Sequence, residues 1–264
     1  MNTLLTSSQG AIFEITLNRP QSLNALNEEM MQELSSTLDN VARDSSIRCL
    51  MFKGAGASFM AGGDVKMFHQ ELGRSSAQLH ERFQQFVGAL HPLIEKLANL
   101  RVPVVAGVQG AVAGFGVSLT MLCDFVVAAD DNYFTLAYIH LGTTPDGSST
   151  WFLPRLVGLR RAKEIAMLGE RIPAAEAQRW GLVYKVVPRA SLESETASLA
   201  ARLAAGPTRA YGNTKLLLQS SFNHSLHEQM DFEVSSFAEC ASNPDFAEGV
   251  KAFVERRKPQ FKGE

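Results

Sequence analysis

The sequence predicts an α/β fold that ends in a helical region, and three observations carry that prediction. Short apolar, strand-like runs alternate with amphipathic helical stretches through about the first 150 residues. Beyond that point the chain reads as helix, apart from one apolar run at 182–187. Two glycine-rich turns each follow a buried strand and open a helix.

The elements follow in order. Residues 12–17 partly alternate between apolar and polar, which suits a half-buried strand, and Asn18, Arg19 and Pro20 break it. Asn27 is placed to cap a helix whose first turn carries Glu28 and Glu29, charges that favour the positive end of the dipole. Met31, Leu34, Leu38 and Val41 follow at helical spacing. Residues 49–52 read as a buried strand leading into the Gly54–Ala55–Gly56 turn. A helical stretch covers about 77–100, with Phe83, Phe86, Val87, Leu90, Ile94 and Leu97 on one face. Pro92 is predicted to kink or divide it, because proline removes a helix hydrogen bond. Residues 102–108 are apolar throughout, as in a strand covered on both faces. Two further short strands are expected at 125–129 and 133–136. Gly206–Pro207 and Asn243–Pro244 punctuate the later helices. The expected organisation is an α/β core over 1–200 and a helical region over 201–264.

Composition narrows the function. The 264 residues carry 25 basic and 27 acidic side chains, a formal net charge of -2, so no nucleic-acid partner is expected. Cys49, Cys123 and Cys240 are widely spaced and odd in number, with neither a disulfide framework nor zinc spacing. Buried free thiols in a reducing compartment are the expectation, with no metal site. No signal peptide is evident and no apolar run is long enough to span a bilayer, so a cytoplasmic protein without a membrane partner is expected. Lys251, Arg256, Arg257, Lys258 and Lys262 make the tail basic, which fits either a solvated helix end or a ligand phosphate.

The two glycine-rich turns are the first candidates for chemistry. One runs through Ala61, Gly62, Gly63, Asp64 and Val65; the other runs from Gly110 through Gly114, Phe115 and Gly116 to Ser118. Each fits a plain tight turn or close helix packing. Glycines also let the main chain approach a ligand, and the first N–H groups of a helix are unpaired within it. Two such turns can each supply one N–H to a single oxygen, forming an oxyanion hole whose individual donors are worth about 2.7–4 kcal/mol of barrier. The second turn lacks the spacing of a dinucleotide-binding loop.

In combination these segments are specific. Residues 17–20 with 23–26, then Phe59 to Asp64, Gly110 to Gly116, Cys123–Asp124, Leu141–Gly142, Pro145–Asp146–Gly147 and the ending Pro259–Gln260–Phe261 resemble the crotonase family, also called the enoyl-CoA hydratase/isomerase family. The resemblance spans nearly the whole chain. It implies a spiral core of ββα turns, a helical C-terminal trimerisation region, and homotrimers or dimers of trimers. It also implies an acyl-CoA thioester substrate, with oxyanion donors at Gly63 and Phe115. Coenzyme A is expected to pass Leu23, Asn24 and Ala25 and the 61–65 segment. Its adenine and phosphates are expected to meet the C-terminal region of a neighbouring subunit, where Phe261 lies.

The choice of acid or base follows from what is missing. The hydratases of that family carry two glutamates at positions that map to Ser118 and Tyr138, and neither is a carboxylate. Asp146 remains, at a place resembling the site of the double-bond isomerases, including those acting on ring-containing phenylacetyl-CoA derivatives. Moving a double bond takes one proton off and returns it elsewhere, which one base can do. Asp146 also fits a plain helix cap, since Pro-Asp-Gly is turn chemistry. His140 is a second candidate, or a packing residue; Asp64 and Asp124 fit backbone-ordering roles; Phe68 and Trp151 fit either an acyl-pocket wall or the core. The expected function is an acyl-CoA double-bond isomerase with no cofactor beyond the coenzyme A of its substrate. The alternatives are an enoyl-CoA hydratase using Asp146 with His140, and a non-catalytic acyl-CoA-binding protein.

Overall fold

The computed structural model describes residues 2–264. The chain opens with β1 (Leu4–Gln9) and β2 (Ile12–Leu17), paired antiparallel so that Leu4 faces Leu17. β1 was not expected from the sequence; of its six residues only Leu4 is buried, so it carries no apolar alternation. Next comes α1 (Glu28–Arg43), where Asn27 accepts from Met30 N–H as the cap. Met31, Leu34, Leu38 and Val41 all lie on its buried face.

β3 (Cys49–Gly54) leads through the first glycine turn into α2 (Val65–Glu71). The expected 77–100 stretch is two helices, α3 (Ser76–Gly88) and α4 (His91–Ala98). Pro92 sits in the first turn of α4, where its missing N–H costs nothing, so it divides the stretch. β4 (Val104–Val108) is buried at every position. Then come β5 (Ala111–Ala113), α5 (Phe115–Met121), β6 (Phe125–Ala129) and β7 (Tyr133–Thr135). α6 (Ser149–Val157) and α7 (Leu159–Leu168) precede β8 (Ile172–Pro173), α8 (Ala174–Arg179) and β9 (Lys185–Val187). Only the last three residues of the expected 182–187 strand pair, with β6, while Leu182 and Val183 are buried in the turn before it. β5 and β8, at three and two residues, are too short to show a period. The chain ends with α9 (Leu192–Ala204), α10 (Thr208–Ser220), α11 (Leu226–Ala241) and α12 (Pro244–Val254).

Six strands form the main sheet in the order β1-β2-β3-β4-β6-β9, parallel except for β1. A second sheet has the order β5-β7-β8. β4 shows why a doubly covered strand reads as continuously apolar: Val104, Ala106 and Val108 enter the core with α1 and α4, while Val105 enters the one beneath α9. The divide placed at 200 falls inside α9, which continues to Ala204; the chain leaves the sheet at the following turn. Arg48 ties the tail to the core, donating to Phe261 O at 3.1 Å and Thr208 Oγ1 at 3.1 Å. Buried Asp245 accepts from Lys262 N–H at 2.7 Å and Gly263 N–H at 2.8 Å. Within the basic tail, Arg257 is paired with Glu248 and Glu255. Among the described residues, no helix is long and apolar enough to cross a membrane.

Candidate active site

The first glycine turn is held between two backbone partners. Met60 N–H donates to Ala111 O, and Met60 O accepts from Ala113 N–H at 2.8 Å. On the other flank Leu26 N–H donates to Gly62 O at 2.7 Å and Leu26 O accepts from Asp64 N–H at 3.0 Å. Successive residues of an extended segment point their amides to opposite sides, so Gly63 N–H faces away from Leu26. Asn24, wholly buried, fixes the approach to this turn: its amide donates to Ala55 O, Ser58 O and Phe59 O at 2.9, 2.9 and 3.0 Å, and its oxygen accepts from Arg19 N–H. The side chain expected along the coenzyme A path is thus engaged inside the fold. Leu23 is about half exposed and Ala25 is buried.

Asp64 caps α2, accepting from Lys66 and Met67 N–H, and pairs with Arg19 at 2.9 Å. Burial pushes its carboxyl up, but Arg19 and the α2 amides outweigh that and hold it below the ordinary value. It is therefore the loop organiser expected from the sequence. Arg19, which the sequence marks as part of a strand break and of the 17–20 family motif but not as an ion-pair partner, also donates to Ala25 O. Val65, the first residue of α2, is half exposed, and the Phe68 ring packs over Gly63, where an added Cβ would lie 2.7 Å from Cζ.

The second turn comes up against the first. Gly114 N–H donates to Thr135 O at 3.0 Å, and Gly114 takes φ 49°, ψ −121°, a conformation L side chains resist. α5 then begins at Phe115. A Cβ added at Gly62 would lie 3.2 Å from Ala113 O and 3.5 Å from Phe115 N. The structure thus brings Gly62, Gly114 and the Phe115 amide into contact. Among the described residues, neither Gly63 N–H nor Phe115 N–H donates to a turn, loop or cap carbonyl.

Asp146 sits beside this pair of turns. Tyr138, on the short helical turn Tyr138–Leu141 after β7, donates its hydroxyl to Asp146 Oδ1 at 2.6 Å. The Asp146 carbonyl accepts from Ser149 N–H at 3.1 Å, Ser149 Oγ at 2.7 Å and Ser118 Oγ at 3.4 Å. A Cβ on Gly147 would lie 2.7 Å from the Phe115 ring and 3.0 Å from Ser118 Oγ, so the Asp146 loop rests directly on α5. The N-cap of α6 is Ser148, without a side-chain cap bond. Asp146 therefore serves that helix through its main chain and leaves its carboxylate free of the capping role its sequence context allowed. Burial pushes this carboxyl above its ordinary value, with the Tyr138 hydroxyl opposing. Burial and the Asp146 charge push the Tyr138 phenol far up, so it stays a neutral donor.

Positive φ marks the same places. Leu23, Asn24, Ala137 and Ser148 are four of the five non-glycine residues in that region, and all flank the turns or Asp146. Nothing in the sequence signals Ala137 or Ser148.

Other expected residues lie elsewhere or serve other ends. His140 is exposed, with Nε2 3.1 Å from Gly169 O, and makes no hydrogen bond to Asp146 among the described residues. Trp151, 38% exposed, meets Phe152 edge to face and lies under the Arg155 guanidinium. Phe261 lines a groove in the C-terminal helices of about 410 Å³ with Pro207, Phe246, Gly249 and Phe253. Among the described residues no three or more His, Cys, Asp or Glu gather as a metal site.

The mixed α/β body is the fold the sequence resemblance leads one to expect, and its two glycine turns meet beside one part-buried carboxylate. The chain belongs to the enoyl-CoA hydratase/isomerase family, whose description matches residues 7–264. Among its relatives is a 1,2-epoxyphenylacetyl-CoA isomerase of Escherichia coli K12, 36% identical over 263 residues, 100% of this chain and 99% of that one. Another is a trans-2-decenoyl-[acyl-carrier-protein] isomerase of Streptococcus mutans, 30% identical over 98% of both chains. The crystal structure of an enoyl-CoA hydratase from Polaromonas sp. JS666 superposes with a TM-score of 0.92 at 32% identity, covering 98% of this chain and 99% of that chain.

Proposed function

We propose that the protein is an acyl-CoA double-bond isomerase that works through a thioester enolate. Asp146 is the base. It takes a proton from the carbon next to the thioester of a 3-enoyl-CoA, and the electron pair moves onto the thioester oxygen. Gly63 N–H and Phe115 N–H hold that oxyanion. Asp146 then returns the proton two carbons further along, leaving the 2-enoyl product with no water added. The acyl-CoA passes Leu23, Ala25 and the 61–65 segment, and its adenine end meets Phe261 of a second copy in a homotrimer or a dimer of trimers. The chemistry needs no metal or redox group, since coenzyme A arrives with the substrate. A ring-epoxide thioester is the second substrate form in view, because a relative carries that activity in its name.

One observation carries this reading. Asp146 carries a part-buried carboxylate released from helix capping, lying against the turn that presents Phe115 N–H. Hydration needs a second group to activate water, and the positions that map to the hydratase glutamates hold Ser118 and Tyr138. The test is incubation with 3-hexenoyl-CoA, crotonyl-CoA and a ring-epoxide phenylacetyl-CoA, scoring product mass and proton exchange in deuterated solvent. A product of unchanged mass in ordinary water, and exchange at the α-carbon in deuterated solvent, are expected from 3-hexenoyl-CoA or from the epoxide. Addition of water to crotonyl-CoA as the main reaction would overturn the proposal in favour of a hydratase. Tight binding with no exchange would leave a non-catalytic acyl-CoA binder.

A further inference from the structure

We infer that Tyr138 is a positioning residue for Asp146, fixing which carboxylate oxygen meets the substrate and the pH above which that oxygen can accept a proton. The inference rests on the reading of Asp146 as base and adds a role to a side chain that stands where the hydratases carry a glutamate.

The geometry is specific. The Tyr138 hydroxyl donates to Asp146 Oδ1 at 2.6 Å, a short bond of the charge-assisted kind. The Asp146 carbonyl is fixed separately by Ser149 and Ser118. With main chain and Oδ1 both held, the carboxylate has one remaining orientation, and Oδ2 accepts no hydrogen bond among the described residues. A Cβ at Gly114 would lie 3.8 Å from the Tyr138 hydroxyl, so the phenol stands between the second turn and the carboxylate. Ala137, just before it, is held at φ 49°, which an alanine adopts only under constraint.

The electrostatic surroundings leave the phenol as the main polar influence. α5 carries no titratable side chain. The turn that bears Tyr138 also bears His140, which is engaged with Gly169 O. α6 carries Arg155, stacked on Trp151. A donor to an ionised carboxylate favours the ionised form, so the phenol opposes the upward push of burial. Without it the carboxyl titrates at higher pH.

Tyr138→Phe keeps the ring and removes the hydroxyl. With 3-hexenoyl-CoA, kcat should fall about tenfold while KM stays within about twofold, as expected for loss of one hydrogen bond to a charged group. The acidic limb of kcat/KM should move up by about one pH unit. Replacing Tyr138 by 3,5-difluorotyrosine, a more acidic donor, should move that limb down instead. A purely structural role predicts no such opposed pair of shifts. If Asp146→Asn is inactive but neither Tyr138 variant moves the limb, the positioning role is overturned and the base assignment stands. Should Asp146→Asn turn over normally, the functional reading itself fails.

Discussion

Gly62 and Gly114 meet back to back: a Cβ on Gly62 would lie 3.3 Å from Gly114 Cα, and one on Gly114 would lie 3.2 Å from Gly62 Cα. The spacing of the two turns therefore depends on both residues lacking a side chain. Gly114→Ala adds that Cβ at φ 49°, ψ −121°, outside the regions open to L residues, at a cost of about 1–3 kcal/mol. It also pushes the Gly63 and Phe115 amides apart. The variant should remain folded with a lowered melting temperature, and kcat should fall by about 10²-fold or more, as when an oxyanion donor is lost. Wild-type turnover would show that the turns need not touch.

Asn24 should matter for stability more than its place at the site suggests. Its amide supplies three carbonyls, those of Ser58 and Phe59 buried and that of Ala55 part-buried, and it holds φ 55°, a region asparagine tolerates better than most residues. Asn24→Ala leaves those acceptors unpaired and should cost about 3 kcal/mol in denaturant unfolding. A cost below about 0.5 kcal/mol would contradict this account.

Lys215 of α10 fastens the C-terminal helices to the sheet through Asp124 at 2.7 Å, while Asp124 also accepts from Val104 N–H at 2.7 Å. Burial pushes the Asp124 carboxyl up, with Lys215 opposing. Lys215→Met removes the partner of a carboxylate that solvent still reaches and should destabilise the protein by about 1–2 kcal/mol. The Asp124→Asn and Lys215→Met double variant should cost less than the two singles added together, measured by a thermal or denaturant cycle.

Much of this was legible from residue order, for physical reasons that differ by element. α1 was readable because Asn27 caps it and four apolar residues repeat at the helical period. β4 was readable because burial on both faces demands apolar side chains throughout. β1 was not, because only Leu4 of that strand enters the core. At the site, the glycine turns and Asp146 are marked by residue type, whereas the Tyr138–Asp146 bond depends on how a turn after β7 folds back, which no local pattern encodes. The ion-pair role of Arg19 was not legible because its partner, Asp64, lies 45 residues away. The bracing role of the Asn24 side chain was not legible, because only its burial and its long-range carbonyl partners reveal it.

Asp146 also sets a pH-dependent stability difference. Burial holds its folded-state carboxyl above the ordinary value, so the charged form is disfavoured in the fold. The stability this group contributes is present below its unfolded pKa and is lost as pH rises through the higher folded value. Asp146→Asn, which cannot ionise and can still accept from Tyr138, should therefore melt higher than the parent at pH 7. That gain should shrink as pH falls toward 4. A variant less stable at pH 7 would contradict the sign.

The central claim is that Asp146 carries the proton, and turnover of 3-hexenoyl-CoA by Asp146→Asn measures it most directly. The account predicts a fall in kcat of about 10²–10⁴-fold, with acyl-CoA affinity retained and α-proton exchange into deuterated solvent lost. Turnover and exchange at parental rates would contradict it.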